Sequence, residues 1–121
     1  MRIFKLKAFA RWARKEGIKD AVLAAAVSEM EKGLVDAKLG GGVFKKRIAA
    51  SSRGKRGGAR TLVAFQSGKH TFFMFGFLKK DTDNIDQVEL KSLRAYAERL
   101  FALRADELNK LILDEEIFEV L

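Results

Sequence analysis

Residues 38–80 read KLGGGVFKKRIAASSRGKRGGARTLVAFQSGKHTFFMFGFLKK, and this stretch decides the fold of the chain. Three segments in it, VFKKRIA, RTLVAFQ and TFFMFGFL, are rich in β-branched or aromatic residues and are bounded by Gly, Ser or Lys, a pattern that predicts β-strands. The same stretch contains eleven Lys and Arg and no Asp or Glu. An apolar sheet with a concentrated basic face is typical of a surface for polyanions.

The first of these strands places its side chains alternately on two faces. Phe44, Lys46 and Ile48 share one face, on which the two apolar side chains are predicted to point into the core. Lys45 and Arg47 share the opposite face, where two like charges repel each other. They are either solvated side chains of an edge strand or part of a basic site that the following residues extend.

A loop rich in glycine and basic residues is predicted at residues 51–59, SSRGKRGGA. It contributes Arg53, Lys55 and Arg56. Loops of this composition wrap phosphate backbones in some proteins and are ordinary hairpin loops in others. Composition alone leaves both interpretations open.

Two further strands complete the basic stretch. The strand at residues 60–66 begins with Arg60, and the strand at residues 71–78 is the most apolar segment of the chain. Its aromatic residues indicate a central strand covered on both faces rather than a surface for stacking nucleotides. Lys79 and Lys80 close this strand and return positive charge to the sheet.

The single histidine, His70, lies at the exit of the predicted hairpin turn. Histidine is a common general base because it titrates near neutral pH. Nothing in the sequence places His70 near Arg47 or Arg60, so we assign it no catalytic role.

Helical patterns flank the basic stretch on both sides. Leu23, Ala26, Val27 and Met30 recur at the spacing of one helix face, and Trp12 is interpreted as a core anchor of the preceding helix. The elements predicted outside the basic stretch are a short strand at 2–5, helices at 6–16 and 19–32, a long helix from about residue 86, a short helix at 105–113 and an apolar–acidic strand at 116–121.

Residues 35–42 end in three consecutive glycines. Glycine frees the backbone from ordinary steric limits. A phosphate-cradling loop would need a following helix or a Gly-Lys-Ser/Thr ending, and neither is present. We therefore interpret this linker as a flexible turn into a strand.

These elements predict an α+β fold: a small twisted antiparallel sheet with two N-terminal helices packed on one face, and a C-terminal helix. A chain of 121 residues is expected to form one domain, residues 1–121. The three strands at 43–50, 60–66 and 71–79 are expected to be consecutive neighbours joined by hairpins.

Charge is unevenly distributed along the chain. Residues 1–37 carry eight cations and five acids, and residues 81–121 carry five cations and eleven acids, against a net charge of +8 for the whole. The basic centre makes nucleic acid an expected partner, although such a face is also compatible with an acidic protein. The chain lacks cysteine, a membrane-length apolar run and the apolar core of a signal peptide, which predicts a cytoplasmic protein with no membrane contact.

Three motifs in the basic stretch resemble the RelE/HigB-like toxins of bacterial toxin–antitoxin pairs. They are GLVDAKLGGGVFKKRIA, GKRGGARTLVAF and FFMFGFLKKDTDNI. One branch of that family has GLxDAxLGGGVxKxR, GKxGGxRT and FFxxGFxKxxxxNI. The resemblance covers most of residues 33–95, and the order of helices and strands agrees with it.

The resemblance implies a fold similar to microbial ribonucleases and an activity against messenger RNA, in many members in the ribosomal A site. It also implies silencing by a cognate antitoxin, which in this branch resembles a helix-turn-helix repressor. We expect no metal or cofactor. An antitoxin segment is expected to cover the basic face or to displace the C-terminal helix.

The resemblance, carried over by position, assigns candidate site residues. Lys45 and Arg47 match the basic pair of the central strand, Arg60 matches the arginine that opens the next strand, and Lys80 or Lys79 matches the cation that closes the last one. The candidate catalytic residues are Lys45, Arg47, Arg60 and Lys80. The candidate RNA-binding residues are Lys46, Arg53, Lys55, Arg56 and Lys79.

The chemistry implied is attack of the RNA 2′-hydroxyl on the adjacent phosphorus. Arg47 and Arg60 suit stabilisation of the phosphoryl charge, since a guanidinium matches two phosphate oxygens. Lys45, crowded by cations, is the candidate base, and Lys80 the candidate acid.

Three positions depart from the family pattern. No tyrosine that could stack on a base occurs near Asp86, Phe75 stands where relatives often carry Tyr, and Arg47 stands where the best-known members carry Lys. Two other functions remain open: a sibling of the same fold that poisons DNA gyrase, and a non-catalytic module that binds RNA or DNA. The basic set argues against the gyrase poison, whose members tend to lack it.

Overall fold

A computed structural model describes residues 2–50, 54–78 and 87–121, without the side chains of residues 50, 54–57, 87 and 88. The elements in chain order are β1 Ile3–Leu6, α1 Lys7–Lys15, α2 Asp20–Glu31, β2 Ala37–Gly40, β3 Val43–Ala50, β4 Gly54–Ala64, β5 Thr71–Leu78, α3 Gln87–Phe101, α4 Ala105–Leu113 and β6 Ile117–Val120. The fold is α+β, as predicted. Both N-terminal helices, the C-terminal helices and the two terminal strands occur within two residues of their predicted positions.

The strands form one sheet in the order β2-β3-β4-β5-β1-β6. The three strands of the basic stretch are consecutive antiparallel neighbours, which confirms that prediction. β6 pairs antiparallel with β1, but β1 pairs parallel with β5. The sheet is therefore mostly, not wholly, antiparallel. The parallel pair arises because β1 enters the sheet beside β5, which is the last strand of the hairpin series.

Helices cover both faces of the sheet. On one face, α1 and α2 bury Phe9, Leu23 and Met30 against the inward side chains of β3, β4 and β5. On the other face, α3 and α4 contribute Leu100 and Leu108 to a second core. Each helix shows the apolar stripe that requires such burial. The two faces are called here the α1/α2 face and the α3/α4 face.

The linker at residues 35–42 is not simply a flexible turn, because it contains β2, which pairs antiparallel with β3. The three glycines form the tight turn between these strands, and all have positive φ, at 89°, 62° and 81°. A Cβ on Gly42 would lie 2.6 Å from the ring of Phe101. The glycines thus serve both the turn and the close approach of α3.

The predicted Gly-rich loop at 51–59 is largely wrong. β4 begins at Gly54, not at residue 60, and ends at Ala64. Its first residues pair with the end of β3, with Gly54 opposite Ala50 across a register shift. Glycine has little intrinsic preference for strands, so the ladder to β3 imposes the extended conformation here. Residues 51–53, which join the two strands, lie outside the described part of the chain.

A β-bulge interrupts the pairing of β4 with β5. Val63 pairs with Phe73 and Leu62 pairs with Phe75, so Met74 is the extra residue. A bulge shifts every following side chain to the other face of the sheet. Phe73 consequently packs on Phe9 of α1, with ring centroids 5.3 Å apart, whereas Phe75 and Phe77 belong to the opposite face.

Candidate nucleic-acid interface

Strand register gathers the central cations on the α3/α4 face. One row across the sheet holds Lys45 and Leu62, and the next row holds Arg47 and Arg60, each pair directly opposite on β3 and β4. The alternation of β3 predicted that Lys45 and Arg47 share a face. The addition of Arg60 to that face follows from the register, which is a tertiary feature.

Arg47 and Arg60 lie unusually close for two like charges. The backbone N–H of Arg47 donates to the carboxylate of Asp36, and the backbone N–H of Asp36 donates to the Lys45 carbonyl at 2.9 Å. These groups therefore point away from β4, which makes Arg47 and Arg60 a non-hydrogen-bonded pair of the ladder. In such a pair the Cα atoms are ~4.5 Å apart and the side chains are closest. Two cations directly opposite each other on adjacent strands favour the binding of an anion.

Arg60 holds a donor that the described protein does not satisfy. Its Nη1 is buried and has no hydrogen-bond partner among the described residues. A buried unsatisfied donor costs about 1–3 kcal/mol, so its presence calls for an explanation. Arg60 is half-buried and Arg47 is exposed. This pair of cations suits the binding of an anion such as a phosphate group.

Aromatic side chains continue the two rows onto β5. Phe75 is the partner of Leu62, and Phe77 is the partner of Arg60. Phe77 is buried, whereas Phe75 is 49% exposed. The candidate interface is therefore defined as Lys45, Arg47, Arg60, Phe75 and Phe77. The sequence pattern assigned the whole aromatic run to the core, which is confirmed for Phe77 and wrong for Phe75.

Lys46 is a correction to the predicted RNA-binding set. It is only 6% exposed, and its Nζ lies 2.6 Å from Oε1 of Glu29 and donates to the Leu34 carbonyl at 2.9 Å. The strand alternation had already placed it on the face opposite Lys45. Because its ammonium is buried and paired against α2, Lys46 ties β3 to that helix, and we leave it out of the interface.

Lys46→Met is expected to destabilise the fold by about 1–3 kcal/mol, because it removes hydrogen bonds to a charged group. RNA affinity should change by less than about twofold, since no interface cation is lost. Lys45→Met is the matched control, as it makes the same change one residue away on the opposite face. Urea unfolding and RNA titration of both variants measure the two effects. Weaker RNA binding by a folded Lys46→Met would return Lys46 to the interface.

The remaining predicted site residues are not placed by the structure. Arg53, Lys79 and Lys80 lie outside the described residues. Lys55 and Arg56 lie in β4 rather than in a loop, and their side chains are not described. Both residues lie near the start of β4, before Arg60, and Lys79 directly follows the last residue of β5 in the sequence.

His70 lies far from the candidate interface. It precedes Thr71, and six residues of β5, ~20 Å, separate Thr71 from Phe77. Its Nδ1 accepts a hydrogen bond of 3.1 Å from the backbone N–H of Arg2, and its ring lies edge-on to Phe4. The structure thus agrees with withholding a catalytic role from this residue and gives it a packing role beside β1.

Burial and the nearby positive charge of Arg2 lower the pKa of His70 below its ordinary value of 6.5. As the pH is lowered, His70 therefore becomes protonated at a higher pH in the unfolded chain than in the folded protein. The contribution of His70 to the free energy of unfolding should be complete above pH 6.5. It should be lost as the pH falls from 6.5 through the folded-state pKa of His70.

His70→Gln should flatten this dependence between about pH 7 and pH 5. Glu119 should titrate below this pH range, because its hydrogen bonds to Arg2 keep its pKa below the ordinary 4.5. Urea midpoints across the pH range measure the effect. An unchanged slope in the variant would show that other groups carry the pH dependence.

In the described ranges, no three His, Asp or Glu side chains lie together in a way that could hold a metal ion. No helix in those ranges is long and apolar enough to cross a membrane.

A mostly antiparallel sheet with helices on both faces, and with paired arginines on adjacent central strands, defines a small α+β protein suited to bind a polyanion. Comparison with known families specifies this class. The family described as “RelE toxin of RelE / RelB toxin-antitoxin system” matches residues 1–120. The chain therefore belongs to the RelE toxin family.

Membership of this family makes the protein a toxin of a toxin–antitoxin system, a class that generally inhibits translation, and it implies a cognate antitoxin as partner. The toxins of the family are generally endoribonucleases. A search of curated proteins found no match to the chain.

Proposed function

We propose that this protein is an endoribonuclease that cuts messenger RNA on the ribosome without a metal ion and so stops translation. The observation that carries the proposal is the Arg47–Arg60 pair, whose members lie directly opposite each other on β3 and β4. Family membership supports it, because RelE toxins are generally endoribonucleases. Because messenger RNA on the ribosome is the proposed substrate, we propose that the protein acts in the cytoplasm.

The proposed reaction is an internal transfer of the phosphoryl group. The RNA 2′-oxygen forms a bond to the adjacent phosphorus as its proton passes to a base, and the bond from phosphorus to the 5′-oxygen breaks as that oxygen receives a proton from an acid. The products are a 2′,3′-cyclic phosphate and a 5′-hydroxyl end. The protein has to orient the backbone and stabilise the added charge on the phosphoryl oxygens.

The interface supplies groups for these tasks. Arg47 and Arg60 would hold the phosphoryl oxygens with paired N–H donors. Lys45 lies one row away on the same face and is the proposed base. Lys80, outside the described residues, is the proposed acid. Arg53, Lys55, Arg56 and Lys79 are proposed to capture the RNA backbone by distributed, salt-sensitive attraction.

Induced expression followed by mapping of transcript 5′ ends tests the proposal. New ends should carry a 5′-hydroxyl, so they should become ligatable only after enzymatic phosphorylation. Lys45→Met should suppress these ends. Growth arrest without new RNA ends would contradict cleavage and would favour a gyrase poison. RNA binding without cutting by purified protein and ribosomes would favour a non-catalytic module.

We further propose that the antitoxin, a helix-turn-helix repressor, silences the toxin with an acidic segment laid over the basic face. The support is the charge of residues 38–80, eleven cations without an acid. We also propose that residues 1–121 form a single domain. Arg2 and Glu119 form an ion pair with two hydrogen bonds, which links the segments that contain β1 and β6.

A further inference from the structure

Phe75 is the exposed member of the aromatic strand β5. Its side chain is 49% exposed, whereas Phe72, Phe73 and Phe77 are at most 6% exposed. β5 is an interior strand of the sheet, flanked by β4 and β1. Leaving a large aromatic surface in water forgoes the free energy that its burial would provide. An exposed aromatic ring on an interior strand, in the sheet row next to the Arg47–Arg60 pair, is available to contact a bound ligand.

The bulge at Met74 is what directs Phe75 to this surface. Uninterrupted alternation from Phe73 would place Phe75 on the α1/α2 face. The extra residue moves it to the α3/α4 face, and Met74 is buried beside it. Bulges often re-aim a side chain next to a functional site.

The position of Phe75 fits the neighbourhood of a bound nucleotide. Across the sheet it lies in the row of Lys45 and Leu62, adjacent to the row of Arg47 and Arg60. Phe75 lies two residues along and one strand across from Arg60, which places their Cα atoms ~8 Å apart, a separation that one nucleotide can bridge. The ring of Phe77 lies 6.1 Å from that of Phe75 and supports it from the buried side.

We propose that Phe75 is the platform on which a base stacks, the base belonging to the nucleotide whose phosphate lies between Arg47 and Arg60. This deepens the proposed function, because it assumes that RNA occupies the basic face. Every base has a π-face, so such stacking tolerates all four bases. Phenylalanine has no hydroxyl group and adds no hydrogen-bonded readout. Phe75 is thus a positioning residue for RNA of varied sequence.

The test uses a short single-stranded RNA with 2′-O-methyl groups, which the protein cannot cut, in intact and abasic forms. At low salt, Phe75→Leu should weaken binding of the intact RNA about tenfold, whereas Phe75→Trp should retain it. For the abasic RNA, the wild type and Phe75→Leu should bind equally. A purely structural role would weaken both RNAs to the same degree.

Tyr96→Leu is the matched control, because Tyr96 is an exposed aromatic residue on α3, outside the interface. It should bind both RNAs like the wild type. The proposal is overturned if the wild type does not bind the intact RNA, if it binds the abasic RNA equally well, or if Phe75→Leu binds as tightly as Phe75. The probe resists cutting, so the binding test does not depend on catalysis. If the protein showed the expected stacking but cleaved no RNA, the proposed endoribonuclease function would be refuted and the stacking role of Phe75 would stand.

Discussion

Arg60→Ala is expected to slow RNA cleavage by on the order of a hundredfold or more while leaving RNA binding nearly intact. Removing one preorganised donor at a developing negative charge typically has this effect. Arg60 is held by pairing on both sides, to Arg47 of β3 and Phe77 of β5. A donor fixed in this way loses little freedom when the transition state forms, so its contribution appears mainly in the chemical step.

The close pairing with Arg47 strengthens this expectation. Arg47 and Arg60 are like charges placed directly opposite each other on adjacent strands, an arrangement that is destabilising. Extra negative charge on the phosphoryl oxygens in the transition state would offset this repulsion. Arg60→Ala removes the repulsion as well, so the folded protein should be no less stable. Reduced cleavage is then not explained by unfolding.

Single-turnover cleavage at saturating ribosome and separate binding titrations measure the two effects. Arg60→Lys keeps the charge but loses the two-pronged donor, and it should fall between the wild type and Arg60→Ala. Arg11→Ala removes an exposed arginine of α1, on the other face of the sheet, and should leave both quantities unchanged.

The cations at the start of β4 should behave differently from Arg60. Lys55→Ala should weaken RNA binding modestly and reduce its salt dependence, because captured phosphates release counterions. If Lys55→Ala abolished cleavage at saturating ribosome and Arg60→Ala did not, the assigned roles would be reversed. The active site would then lie toward the start of β4.

Gly76→Ala is expected to lower the free energy of unfolding by about 3 kcal/mol, at the upper end of what overpacking costs. A Cβ on Gly76 would lie 2.2 Å from Cζ3 of Trp12, and two further atoms of that ring would lie within 2.7 Å. The indole ring of Trp12 lies between β5 and Phe9, and the ring centroids of Trp12 and Phe9 are 5.5 Å apart. The ring has to leave its place or push the strand away. For a chain of this size the melting temperature should fall on the order of 10 °C.

A double-mutant cycle isolates the cause. In a Trp12→Ala background the space above Gly76 is vacant, so adding Gly76→Ala should cost little. Alanine also restricts the unfolded chain more than glycine does, which would even favour the double variant slightly. Thermal and urea unfolding of the four proteins give the coupling. An equal loss in both backgrounds would show that Gly76 is needed for the backbone of β5 and not for the fit of Trp12.

The sequence by itself determined the elements and the class of this protein. Apolar spacing located α1, α2 and α3, and the alternation of β3 placed Lys45 and Arg47 together, because periodicity is a property of neighbouring residues. The motifs from residue 33 onward indicated the RelE family, which the match over residues 1–120 confirms. Even the separation of Lys46 from Lys45 was implicit in the alternation, although its burial was not.

The tertiary structure alone decided which side chains meet. Arg60 joins Arg47 because β4 pairs with β3 in one register, and β4 starts at Gly54 because that ladder satisfies its backbone groups. Phe75 reaches the interface because a bulge in β5 reverses its face. Register and bulges depend on the partner strand, so no periodicity within one segment encodes them. The burial of Lys46 likewise depends on where α2 brings Glu29, nearly twenty residues away along the chain.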